Sequence, residues 1–136
     1  MRNLCLLSLV AMIVVLSGTS VSLSAPLAHS DLETALEKAE ALGKPLFIQY
    51  GREACGYCQA LKSYIKEGTV NIDNFIYVDL DCDNETVRKQ FNELFKVSGK
   101  ILPLVVIADS NGKQITSRSG RGKPEDYKAM TEKAEN

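Results

Sequence analysis

From residue 30 onward, apolar positions recur with changing periods, and the changes divide the chain into elements. Leu32, Ala35, Leu36, Ala39 and Leu42 fall three or four residues apart, which places them on one face of a helix. Ser30-Asp31-Leu32-Glu33 opens this stretch as a capping box, and Gly43 with Lys44-Pro45 closes it. Residues 46–50 form an apolar run in which Gln49 is the only strongly polar member, short enough for a buried strand. After the loop Gly51-Arg52-Glu53-Ala54, helical spacing returns at Cys58, Leu61 and Ile65 and ends at Glu67-Gly68. Residues 75–80 are aromatic and β-branched and predict a second strand, and Val87, Phe91, Leu94 and Phe95 predict one face of a third helix. Residues 104–107 predict a third strand. Asp109-Ser110-Asn111-Gly112 is a hairpin turn into a fourth strand over residues 113–118. Pro124 opens a last helix with Tyr127 and Met130 inward. Strands joined through a helix should lie parallel and the last two antiparallel, so the expected sheet is mixed.

The first residues follow a different pattern. Met1-Arg2-Asn3 is a short positive start, residues 4–16 are nearly all apolar, and Ser17-Gly18-Thr19-Ser20 and Ser22-Leu23-Ser24-Ala25 are small and polar. These are the three parts of a secretory signal, which predicts cleavage after Ser24. The expected organisation is a signal peptide over residues 1–24, a linker over 25–29 and a folded domain over 30–136. An uncleaved anchor is the alternative, but the apolar run falls short of the roughly 20 residues that span a bilayer. A periplasmic or secreted location is therefore expected. Removing the signal takes away Cys5 and Arg2, leaving three of the four cysteines and moving the formal net charge from −1 to −2.

Composition adds little beyond limits. A chain of 136 residues holds one domain with a core. With a net charge of −1 and no long block of either sign, nothing suggests nucleic acid as a partner.

The candidate chemistry lies in Cys55-Gly56-Tyr57-Cys58, between the first strand and the second helix. There Cys55 sits at a helix N-terminus, where unpaired backbone amides and the helix dipole favour a thiolate over a thiol. Cys58, one turn inward, is placed to attack any mixed disulfide that Cys55 forms and release the partner. Three other readings compete: half of a zinc site, a static disulfide, or two small buried hydrophobes. Zinc takes four ligands, and the chain offers only Cys82 and His29 beyond this pair.

This element order, with Cys-x-x-Cys at the first strand-helix junction and Pro103 just before the third strand, resembles the thioredoxin superfamily over about residues 30–134. Among its branches the chain is most similar to secreted bacterial thioredoxin-like proteins that begin with a helix, and Gly56-Tyr57 is similar to the dipeptide of periplasmic disulfide isomerases. The resemblance implies an α/β thioredoxin-like fold, with a central mixed four-stranded sheet flanked by helices and an N-terminal helix before the first strand. It implies Cys55 as exposed nucleophile, Cys58 as resolving cysteine, and Pro103 as a cis-proline opposite the disulfide. The backbone of Leu102 would then pair with an extended substrate beside Gly56 and Tyr57.

Four departures from the family pattern stand out. Gln49 replaces a buried acid, which removes the obvious base for Cys58 and implies slower resolution. Ala54 replaces a tryptophan before the first cysteine. The loop Ser98-Gly99-Lys100-Ile101-Leu102 looks about two residues longer than in thioredoxin. The separate dimerisation domain of periplasmic isomerases has no room here, so a monomer is expected.

The expected activity is that of an exported thiol-disulfide oxidoreductase, a reductase or isomerase of protein disulfides. It would need no cofactor and would act on protein thiols and disulfides with a membrane redox partner. The rivals are a thioredoxin-fold copper chaperone using Cys55, Cys58 and Cys82 or His29, and an interaction domain with vestigial chemistry. Cys82 reads as a third redox thiol, a metal ligand or a buried hydrophobe. Arg52 is either a solvated loop residue or a cation that favours the Cys55 thiolate. Arg118, Arg121 and Lys123 lie in a Gly-rich loop that is either solvated or a basic rim near the site.

Overall fold

The computed structural model describes residues 26–136. The signal peptide expected over residues 1–24 lies outside the described residues. Eight elements follow in the predicted order: α1 (Leu32–Leu42), β1 (Leu46–Gly51), α2 (Gly56–Lys66), β2 (Ile76–Asp81), α3 (Glu85–Leu94), β3 (Leu104–Ala108), β4 (Gln114–Ser119) and α4 (Pro124–Glu135).

Local chemistry accounts for the boundaries. Asp31, rather than Ser30, caps α1: its carboxylate accepts the Thr34 backbone amide at 3.0 Å and also the Thr34 hydroxyl. Gly43 ends that helix at φ 62°, a left-handed conformation that costs a glycine nothing. Asn84 caps α3, and Pro124 stands at the first turn of α4. In the β3–β4 turn the Asp109 side chain accepts the amides of Asn111 and Lys113, both at 2.9 Å.

The strands form one sheet in the order β2-β1-β3-β4. β1 and β2 are parallel, and β3 is antiparallel to both β1 and β4. The rule that helix-linked strands lie parallel holds for β1 and β2 and fails for β2 and β3. Tyr50 pairs with Leu80 near the end of β2 and with Leu104 at the start of β3. The chain thus re-enters the sheet at the end it left, and β3 must run back. Beyond the named strands, the backbone of residue 29, at the end of the expected linker, forms a parallel bridge with Val78.

Alternation along the strands sends side chains into two cores. On one face, Ile48, Tyr50, Val78 and Leu80 pack with Leu32, Ala35 and Ala39 of α1 and Phe91 of α3. On the other, Phe47, Tyr77, Val105 and Ile107 pack with Leu61 and Ile65 of α2 and Tyr127 and Met130 of α4. Two helical positions expected to face inward do not. Leu42 and Leu94 are exposed, both in the last turn of their helices, and after Leu94 the chain leaves helical geometry so that Phe95 folds back into the core.

Candidate functional site

The site is built where β1 hands over to α2. The chain leaves the sheet at Gly51, crosses Arg52-Glu53-Ala54 and starts α2 with Cys55 as its N-cap. The Cys55 sulfur accepts the backbone amide of Cys58 at 3.2 Å, a helix-terminal donor of the kind that favours an anion at that position. Cys55 and Cys58 are joined by a disulfide, with Cα atoms 5.2 Å apart. Cys55 is half-buried between the exposed Ala54 and Gly56, whereas Cys58 is fully buried. Exposure thus separates an accessible sulfur from an inner one.

Pro103 closes the other side. The Leu102–Pro103 bond is cis, Pro103 is buried and Leu102 half-buried. Gly51 fits between this loop and the cysteines. A Cβ at residue 51 would lie 2.5 Å from Cys58 Sγ and 4.0 Å from Pro103 Cβ, so only a glycine lets the strand end so close to the disulfide. The sequence reading had Gly51 as loop. A lone glycine at the end of an apolar strand was the available signal.

Beneath Cys58, Gln49 is fully buried and fully engaged. Its amide nitrogen donates to the Cys58 carbonyl at 3.1 Å, and its amide oxygen accepts the Tyr77 hydroxyl at 3.1 Å. Burial pushes the Tyr77 phenol well above its ordinary range, with the nearby Asp79 charge adding to the effect. Gln49 therefore braces the start of α2 and offers no base. An acid does stand on the adjacent strand: Asp79 pairs in register with Gln49 and binds Lys62 at 2.8 Å, four residues after Cys58 on α2.

The remaining candidates are distributed around this centre. Arg121 lies over the Tyr57 ring with its guanidinium carbon 5.7 Å from the centroid, so the basic loop does reach the motif. Arg118 is held by Asp126 at 3.2 Å and donates to the Arg121 carbonyl, and Lys123 caps α4 through its backbone. Arg52 points elsewhere, binding Asp83 at 3.0 Å with the Cys82 sulfur at 3.5 Å. Of its two readings, a solvated loop residue or a cation beside Cys55, the geometry gives a half-exposed loop residue paired with Asp83.

Cys82 belongs to the core layer of α1 and α3, on the sheet face opposite α2 and Cys58. Strand alternation sets this: Leu80 and Cys82 face one way, Asp79 and Asp81 the other. Asp81, Cys82 and Asp83 do cluster, and Arg52 pairs with Asp83 there. His29 lies beside Lys38 of α1, its Nε2 3.4 Å from Lys38 Nζ. Neither Cys82 nor His29 is therefore placed beside Cys55 and Cys58 as the additional ligand that the copper reading allowed for.

An α/β/α sandwich with a dithiol-disulfide pair at the N-terminus of the helix after β1 and a cis-proline against it defines the thioredoxin-like class. The family model described as Thioredoxin-like matches residues 27–110, and the chain belongs to that family. Among solved structures it is similar to thioredoxin f2 from a complex with ferredoxin:thioredoxin reductase, at 23% identity and a TM-score of 0.66 over 83% of this chain and 98% of that one. Thioredoxin f from spinach chloroplast matches at 18% identity and a TM-score of 0.63, over 81% and 95%. A Schistosoma mansoni thioredoxin matches at 25% and 0.59, over 80% and 95%. The fold is the expected one: a mixed four-stranded sheet flanked by four helices, with a helix before β1.

Proposed function

We propose that this protein is an exported thiol-disulfide oxidoreductase acting on protein disulfides. The observation that carries the reading is the Cys55 sulfur at the cap of α2, hydrogen-bonded to the Cys58 amide and bonded to the buried Cys58 sulfur. In the reducing direction the Cys55 thiolate attacks a client disulfide, forming a mixed disulfide and expelling one client thiolate. Cys58, having lost its proton, then attacks the Cys55 sulfur and expels the second client thiolate. The client bond is reduced and the Cys55–Cys58 bond formed, with two electrons transferred. Leu102, Pro103, Gly56 and Tyr57 form the surface that a client chain meets, with Leu102 offering backbone pairing.

Export rests on the N-terminal pattern of residues 1–24, and with it come a periplasmic or secreted location and a membrane electron donor that regenerates the dithiol. The protein works as a monomer and without nucleic acid.

The deciding experiment equilibrates the protein with graded glutathione buffers and traps free thiols. A reduction potential near about −270 mV assigns a reductase, and one between about −180 and −120 mV an isomerase or oxidant. A pair that never exchanges with glutathione overturns the redox assignment. N-terminal sequencing of the exported protein tests cleavage after Ser24.

A further inference from the structure

A cleft of about 520 Å³ opens on the sheet face opposite α2, between α3 and the loop that leads to Pro103. Its floor is apolar, with Tyr50 stacked on Phe91 at a centroid distance of 4.2 Å and Leu102 at the end nearest the disulfide. Its walls carry Arg52, Arg88 and Lys100 against one acid, Asp83, which Arg52 already neutralises. Arg88 and Lys100 are exposed and form no ion pair among the described residues. Tyr50 is only 6% exposed, and what shows of it lines the cleft.

We infer that this cleft binds an acidic, extended segment of the client, one side chain on the Tyr50–Phe91 floor and a carboxylate facing Arg88 and Lys100. The occupant is a peptide because Leu102 belongs both to the cleft and to the surface beside the cysteines, so a chain bound through one continues into the other. Its charge follows from the unbalanced cations. This inference rests on the proposed oxidoreductase reading, whose substrate it specifies.

The test uses two fluorescently labelled ten-residue peptides without cysteine, each with a central phenylalanine, one flanked by aspartates and the other by lysines. Binding to the oxidised protein is measured by anisotropy at low and high salt. The acidic peptide should bind at least about tenfold more tightly at low salt, with the preference shrinking as salt rises. Arg88→Glu with Lys100→Glu should abolish the preference; a thermal melt checks that the variant folds. Equal binding of the two peptides, no binding, or an unchanged preference in the double variant overturns the inference. Reaction of the reduced wild-type protein with the uncharged 2,2′-dithiodipyridine is read separately, so failure of the redox chemistry is distinguishable from failure of the cleft.

Discussion

The Gln49 side chain links the Cys58 carbonyl to the Tyr77 hydroxyl, donating to one and accepting from the other at 3.1 Å each. It thereby ties the helix that carries Cys58 to both β1 and β2. Gln49→Glu keeps the shape and introduces a buried acid whose ionised form has no donor for the Cys58 carbonyl. Burial raises that acid's folded-state pKa above its unfolded value of about 4.3. The folded state then holds the proton longer, so the variant should lose stability as pH rises from about 4 through the raised pKa, whereas the wild type lacks this loss. Urea unfolding of both proteins between pH 4 and 9 checks the sign.

Tyr77 supplies the second prediction. Its phenol is raised by burial, so above about pH 10 the unfolded state deprotonates first and stability falls with rising pH. Tyr77→Phe removes that share of the alkaline loss. It also leaves the Gln49 amide oxygen without its partner, which should cost about 1–3 kcal/mol at neutral pH. Equilibrium unfolding at pH 7 and pH 11 separates the two effects.

Gly51→Ala tests the close approach of strand and sulfur. The added methyl would sit 2.5 Å from Cys58 Sγ, so the strand end or α2 must shift. Overpacking of this kind costs about 1–3 kcal/mol, read as a lower Tm of the oxidised protein. The same shift should slow closure of the Cys55–Cys58 bond, read as a longer-lived mixed disulfide in acid-quenched samples.

The burial difference between the cysteines predicts unequal variants. Cys58→Ser should retain attack by Cys55 and accumulate mixed disulfides with a model disulfide such as oxidised glutathione, because nothing resolves them. Cys55→Ser should form far fewer, since Cys58 is fully buried. Intact-mass spectrometry of each variant after exposure reads the adduct directly, and equal adducts on both would contradict the assigned roles.

How far the sequence carried this picture depends on the range of the interaction involved. Periodicity and local chemistry marked all eight elements, because helix faces, strand runs, glycine stops and the proline at the start of α4 act within a few residues. They also set Cys55 at the cap of α2 and Cys58 on its inner face, since both follow from one turn of helix. Small errors were local too: Asp31 rather than Ser30 caps α1, and Leu42 and Leu94 lie too near their helix ends to be covered.

What the tertiary structure alone decided involves residues far apart in the chain. The antiparallel entry of β3 beside Tyr50 depends on which end of the sheet the chain returns to, which no period records. The direction of Arg52 was set by Asp83 on another loop, and the bond from Gln49 to Tyr77 by the pairing of β1 with β2. Cys82 and Cys58 look like members of one thiol set in the sequence, but strand alternation and the position of α2 put them on opposite faces of the sheet. The sequence by itself determined the redox pair and the elements that frame it. Only packing between distant segments determined what surrounds the pair.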